Sequence, residues 1–241
     1  MYIYIVRHGQ SQFNANHGEG CENIKACDLK LTDLGVKQAE LAGKTLKSEL
    51  ESLSIESRYV KIITSPYERA KNTAEIIGRE SEINEYIYVD DRITEQNYGL
   101  FSGSENTQDN MDKYPDVYKY YAETIDKVGR YYTRMPFGES EFDMVNRAAS
   151  MINTLRTLSN EPDCKVVILV SHHNFIRAFM KVLLDENMSW YENEKGPGNC
   201  SIQKVEISTN NYKNMRYTKY IDRYTYYHGY IHGNKLEKWM V

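Results

Sequence analysis

Arg7 and His8 follow at once on the apolar run Tyr2-Ile3-Tyr4-Ile5-Val6. Arginine carries a rigid fork of donors suited to phosphate or carboxylate. Histidine near neutral pH serves as base, nucleophile or metal ligand. Three more groups stand in comparable settings: Arg69 shortly after the run Tyr59–Thr64, His172 just beyond Lys165–Val170, and Glu95 after Tyr86–Asp90. Two arginines, two histidines and one carboxyl group form a coherent set for phosphoryl transfer. The arginines would bind the non-bridging oxygens and stabilise charge as the phosphoryl group moves. One imidazole would attack phosphorus in line to give a phosphohistidine. Glu95 would protonate the leaving alkoxide and then activate water. Taken singly, each group has a plainer role: Arg7 and His8 decorate a loop, and Arg69 is a solvated helix arginine.

The elements that must bring them together are legible in the pattern. Tyr2–Val6 and Lys165–Val170 are unbroken β-branched, aliphatic and aromatic runs, as expected of strands buried on both faces of a parallel sheet. Both turn polar abruptly, and Gly9 permits a tight turn where a Cβ would obstruct it. Their ends therefore fall beyond the carboxyl edge of a sheet, where open α/β folds bind ligands. Tyr59–Thr64 reads as a second strand, and Ser65-Pro66 then fits the N-cap and first position of a helix. Arg69 lies in its first turn, at the positive end of the helix dipole. Thr32 caps a helix over Leu31–Leu46 with a stripe of about 3.6-residue period.

Tyr86–Asp90 is a third strand candidate, and Arg92 to Gly103 an irregular stretch bearing Glu95. Glu105 to Tyr132 reads as one or two helices inserted as a cap. A long helix follows from Glu141 to about Asn160, with Met144, Ala148, Met151, Ile152 and Leu155 as its buried stripe. Phe175–Leu184 is an apolar helix. Gly198–Glu206 is a last strand at the sheet edge, and alternation around Tyr217 to Tyr227 suggests another strand or a hairpin. Ala15 to Lys30 is a loop in which His17 lies at the surface.

The chain has 241 residues, 41% hydrophobic and 27% charged, an ordinary balance for a globular protein able to bury a large core. Lysine and arginine total 30 against 34 acidic residues, so the net charge is −4 and no basic block suggests a nucleic-acid partner. An anionic ligand must therefore be held by a local cluster. Cys21, Cys27, Cys164 and Cys200 show no CxxC pair or zinc spacing and read as reduced thiols of an intracellular protein. The N-terminal apolar run is too short for a secretory signal, and no stretch approaches the ~20 apolar residues needed to span a bilayer. The expected location is the cytoplasm.

Arg7-His8-Gly9-Gln10-Ser11-x-x-Asn14 resembles the signature of the histidine phosphatase superfamily, in the branch with cofactor-dependent phosphoglycerate mutase and fructose-2,6-bisphosphatase. Leu31-Thr32-x-x-Gly35-x-x-Gln38-Ala39 and Ser65-Pro66-x-x-Arg69-Ala70-x-x-Thr73-Ala74 are similar to its next two motifs. Glu95-Gln96-x-x-Gly99, Gly138-Glu139-Ser140 and Val170-Ser171-His172 continue in the family's order. The match runs from about Tyr2 to Ile202. The resemblance implies an α/β fold, a three-layer α/β/α sandwich with a mostly parallel central sheet, helices on both faces and a helical cap insertion. One domain would cover 1–241, with the cap at about 104–136 and a Tyr-rich extension at about 207–241.

The resemblance further implies that His8 is the phosphorylated nucleophile and Glu95 the proton donor. Arg7, Arg69 and His172 would complete the phosphate pocket, with Asn14 as an added donor and Gln10 and His173 beside it. No metal or other cofactor is implied, and the partner would be a small phosphorylated molecule, with no nucleic acid or membrane. The edge strand permits a monomer or a homodimer.

Gln10 stands where the mutases usually carry Glu, and Gln96-Asn97 replaces the Arg-His that follows their acid, that Arg being a ligand of the substrate carboxylate. The segment Gly129–Ser140 looks like that of fungal and plant mutase-like phosphatases. Hydrolysis of a phosphomonoester is therefore the expectation. The alternatives are a 2,3-bisphosphoglycerate-dependent phosphoglycerate mutase and an inactive binding protein on the same fold. The intact set of Arg7, His8, Arg69, Glu95 and His172 speaks against the latter.

Overall fold

The computed structural model describes residues 1–21, 24–102 and 107–207, with three short strand segments at 216–218, 226–227 and 230–231. Its strands are β1 (Tyr2–Arg7), β2 (Val60–Thr64), β3 (Ile87–Val89), β4 (Val166–Ser171), β5 (Ile202–Glu206), β6 (Arg216–Thr218), β7 (Tyr226–Tyr227) and β8 (Tyr230–Ile231). Its helices are α1 (Gln12–Asn16), α2 (Asp33–Ser52), α3 (Glu68–Glu80), α4 (Thr107–Lys113), α5 (Pro115–Val128), α6 (Glu141–Leu158), α7 (His173–Leu183) and α8 (Met188–Asn193).

The main sheet has the order β3-β2-β4-β1-β5-β6. β1, β2, β3 and β4 pair in parallel, while β5 runs antiparallel to β1 and β6 antiparallel to β5. All six residues of β4 are buried, which is why its sequence reads as one apolar run and not as alternation. The strands feed two apolar clusters, one on each face. Ile3, Ile5, Val167 and Leu169 pack with α6 and α7, and Tyr4, Val6, Ile168 and Val170 pack with α2 and α3. Each such side chain, taken out of water, stabilises the fold by roughly 1.5–3 kcal/mol. The architecture is the three-layer α/β/α sandwich that the motif order implied.

The parallel pairing aligns the carboxyl ends of three strands. Arg7 of β1 stands opposite Ser171 of β4, and Thr64 of β2 opposite Val170. His8, Ser65 and His172 are the next residues along each strand, so all three emerge at one edge.

Several boundaries differ from the sequence expectation. α3 begins at Glu68 with Tyr67 as its N-cap residue, so Ser65 and Pro66 lie ahead of the helix. The Ser65 hydroxyl is instead committed to His172 and to the backbone N–H of Tyr67. α7 starts at His173, two residues early, with His172 in the N-cap position. β5 is not the sheet edge, because β6 of the Tyr-rich tail pairs with it through Lys204–Glu206. β7 and β8 pair antiparallel in a separate two-stranded sheet, and most of the remaining tail lies outside the described residues. The stretch read as a cap forms α4 and α5, with 103–106 outside the described residues. α5 packs onto Phe101 through Tyr118 and Tyr121. His17 is exposed at the C-cap of α1. All four cysteines are free thiols. Among the described residues, no helix is long and apolar enough to cross a membrane.

Candidate active site

The Arg7–Gln10 turn is fixed from four sides. His8 N–H donates to Ser171 O at 2.9 Å, Gly9 N–H to Thr73 Oγ1 at 3.0 Å, and Gln10 N–H to Gln38 Oε1 at 2.8 Å. Asn199 Nδ2 donates to His8 O at 3.0 Å. A Cβ on Gly9 would sit 2.4 Å from Gly35 O, so the turn and the start of α2 meet backbone to backbone. Two residues of the motif pattern, Thr73 and Gln38, thus act as clamps on the turn.

His8 is buried, and its Nδ1 lies 2.7 Å from Gly9 O. A carbonyl accepts only, so the proton is on Nδ1. Nε2 is then a lone pair, and it accepts from Arg69 Nε at 3.1 Å. Burial, with Arg69 and Arg7 adding like-charge repulsion, holds the His8 pKa well below the usual imidazole range. His172 is fully buried beside it, with ring centroids 5.1 Å apart. Its pKa is lowered too, by burial first and Arg69 next.

The guanidiniums are short of counter-charge. Arg69 Nη1 donates to Ala26 O at 2.5 Å, and its plane lies over the Tyr67 ring. Arg7 Nη1 donates to Pro197 O at 3.0 Å, while its buried Nε has no partner. Burial pulls the Arg7 pKa down to about 10 and lowers that of Arg69 as well. The buried Arg69 and the partly buried Arg7 are each held by a carbonyl, and the buried Arg7 Nε lacks a partner, a set of donors that can take the oxygens of an anion.

Glu95 faces them from the loop after β3. Its Oε1 accepts from Gln96 N at 2.9 Å and from Asn174 N, in the first turn of α7, at 3.1 Å. The loop is pinned by Glu139, whose carboxylate takes Arg147 Nε at 2.8 Å, Arg147 Nη2 at 2.9 Å and Asn97 N at 3.0 Å. Gly99 has φ +56, and a Cβ there would meet Pro136 O at 2.0 Å. This explains the Gly138-Glu139-Ser140 motif, for which the sequence offered no chemistry: it anchors the loop that bears the acid.

A cleft of about 370 Å³ opens over these groups. Arg7, His8, Asn14, Arg69, Glu95 and His173 all line it, so the chain brings together six of the eight sequence candidates. His172 lies directly beneath, through its contact with His8. Gln10 is the exception, because its side chain turns to Thr32 Oγ1, 2.8 Å away. Asn14 Oδ1 accepts from Ser11 N–H, Ser11 Oγ–H and Asn199 Nδ2, which leaves its amide nitrogen as the end available to a ligand. His173 lines the cleft and also packs, with Nδ1 3.3 Å from Pro197 O and the ring against Gly196; burial brings its pKa down to about 4. Residues missed from sequence include Ser65, Tyr67, Tyr98 and the Pro197–Asn199 segment. Only Ser65 lay in a quoted motif. Among the described residues, no group of three or more His, Cys, Asp or Glu side chains has the arrangement of a metal site.

Residues 3–219 match the model of the histidine phosphatase superfamily (branch 1), and the chain belongs to that family. It is 27% identical over 215 residues to phosphoglycerate mutase-like protein AT74 of Arabidopsis thaliana, covering 85% of this chain and 64% of that one. The chain therefore spans somewhat under two thirds of that relative's length. Its fold is similar to a putative α-ribazole-5′-P phosphatase of Escherichia coli, with TM-score 0.70 and 17% identity over 91% of this chain and 95% of the other. It is also similar to a mycobacterial glucosyl-3-phosphoglycerate phosphatase, with TM-score 0.65 and 23% identity over 91% and 97%.

Proposed function

We propose that this protein is a metal-independent phosphomonoester hydrolase that works through a phosphohistidine on His8. The observation that carries most weight is the tautomer of His8. Its Nδ1–H is tied to Gly9 O and its Nε2 lone pair faces Arg69 in a buried, cationic site. When a phosphate enters, the Arg69 guanidinium transfers its donors to the non-bridging oxygens and frees Nε2 for in-line attack. The P–N bond forms as the ester P–O bond breaks. Glu95, as the proton donor, gives a proton to the departing alkoxide. The Nδ1–H···O=C bond to Gly9 then stabilises the positive charge that the ring acquires. Water attacks the phosphoryl group next, Glu95 takes its proton, the P–N bond breaks, and inorganic phosphate leaves with His8 restored. Arg7, Arg69 and His172 hold the three equatorial oxygens throughout, supplying the charge stabilisation that phosphoryl transfer demands.

Hydrolysis is favoured over transfer to a second hydroxyl by the cleft lining. Its lining also includes Phe13, Leu29, Tyr98, Gln96 and Asn97, and among the described residues that line it the only cations are Arg7 and Arg69. Nothing there would clamp a second anionic group of a substrate while the phosphoenzyme waits. The test is turnover of p-nitrophenyl phosphate with a metal chelator present, for wild type beside His8→Ala. Wild-type turnover with an acid-labile phosphoenzyme is expected, and neither in the folded variant. Wild-type rates in His8→Ala would overturn the nucleophile, and loss of activity with chelator would overturn metal independence.

A further inference from the structure

The fully buried Ser65 lies at the end of β2, outside the set of groups that would touch phosphate. Its Oγ is 2.7 Å from His172 Nε2, in the interior of the site. It also accepts the backbone N–H of Tyr67 at 3.3 Å. A hydroxyl has one proton to give, and the only acceptor within hydrogen-bond reach of this one among the described contacts is His172 Nε2.

Two arrangements are open to the pair. If His172 carried its proton on Nε2, Ser65 Oγ would accept twice, and its own proton would be sealed in the interior with no acceptor. Buried polar groups in folded proteins rarely tolerate that. If instead the hydroxyl donates to Nε2, both atoms are satisfied, and a neutral ring must carry its proton on Nδ1. Burial and the nearby guanidiniums keep this ring neutral. His172 Nδ1 is itself buried and has no partner. It therefore stands as a second buried donor without a partner, alongside Arg7 Nε.

We propose that Ser65 is a positioning residue that sets the tautomer of His172, keeping its proton on Nδ1 as a donor to the transferring phosphoryl group. This deepens the phosphatase reading and rests on it for what the proton does, though not for where the proton sits. The two histidines then share one tautomer for opposite ends. Gly9 O holds the proton of His8 on Nδ1 and leaves a lone pair on Nε2. Ser65 fills the lone pair of His172 Nε2 and leaves an N–H on Nδ1. Tyr67 holds both parts of the relay, its N–H on Ser65 Oγ and its ring edge-on to the His172 ring at 5.0 Å.

The test is long-range ¹H–¹⁵N NMR of the ligand-free full chain, with the His172 signals assigned by their absence in His172→Gln. The wild type is expected to show a protonated Nδ1 and an unprotonated Nε2. Ser65→Ala is expected to lose that signature, and its kcat on p-nitrophenyl phosphate to fall about 10- to 100-fold with little change in KM. Ser65→Thr, which keeps the hydroxyl, should restore the Nδ1–H signature. A wild-type His172 protonated on Nε2 overturns the proposal, whether or not the variants fold. So does a Ser65→Ala protein with Nδ1–H intact and wild-type kcat. Absence of wild-type turnover would sink the phosphatase reading alone, because the tautomer is read without substrate.

Discussion

Replacing Glu139 by Gln tests whether the acid loop is held at a distance from the chemistry. Glu139 accepts three hydrogen bonds through its carboxylate, two from Arg147 and one from Asn97 N. The side chains of Arg147 and Glu139 are 19% and 24% exposed, between a surface pair and a buried one. Exposed pairs contribute about 0–1 kcal/mol, and breaking a buried pair costs about 3–5 kcal/mol. An intermediate cost of about 2–3 kcal/mol follows, since Arg147 keeps its bonds to Arg92 O and Thr94 O. For a chain of this length that lowers Tm by about 4–12 °C. The freed Asn97 N–H loosens the turn that presents Glu95, so kcat on p-nitrophenyl phosphate should fall about tenfold while KM barely moves. Melting curves and steady-state kinetics read both effects, and a cycle with Arg147→Met should show coupling of at least about 1 kcal/mol. A Glu139→Gln protein within about 1 °C of wild type, with unchanged kcat, would refute the claim that this pair carries the loop.

The buried histidines make stability fall on the acid side of neutrality. His8, His172 and His173 have pKa values depressed by burial, that of His173 to about 4. Above about pH 6.5 both folded and unfolded chains hold them neutral. Below it the unfolded chain takes up protons that the folded chain refuses, so stability drops by up to about 1.4 kcal/mol per pH unit for each group. Urea melts from pH 7 to pH 5 should show this slope, and His173→Asn should reduce it; a flat profile refutes the burial argument. A cleft lining with no lysine or arginine besides Arg7 and Arg69 predicts a preference between matched esters. Glycerol 3-phosphate should exceed 3-phosphoglycerate by about tenfold in kcat/KM, because a carboxylate would be desolvated there without a cation. Equal or reversed values would refute it.

Residue pattern alone carried much of this site. Continuous apolar runs that end in polar residues located β1, β2 and β4, and the side chains just beyond them are the ones that meet. That works because strand ends in parallel sheets share an edge, so a position one step past a buried run has a definite place in space. His8 and His172 were legible for this reason, and Thr32 was legible as the cap of α2 from its place ahead of a helical stripe.

Only the tertiary structure decided which atoms of those side chains are engaged. Ser65 looked like a helix cap, yet its hydroxyl crosses to a histidine 107 positions away in sequence. Gln10 looked like a phosphate ligand, yet its Oε1 accepts from the Thr32 hydroxyl and the residue does not line the cleft. The Tyr-rich tail showed strand alternation around Tyr217, yet only the packed sheet decides that this strand pairs with β5. Each of these is a competition between hydrogen-bond partners distant along the chain, and local sequence fixes only which groups compete. The winner depends on distances that exist only once the sheet and its helices are packed.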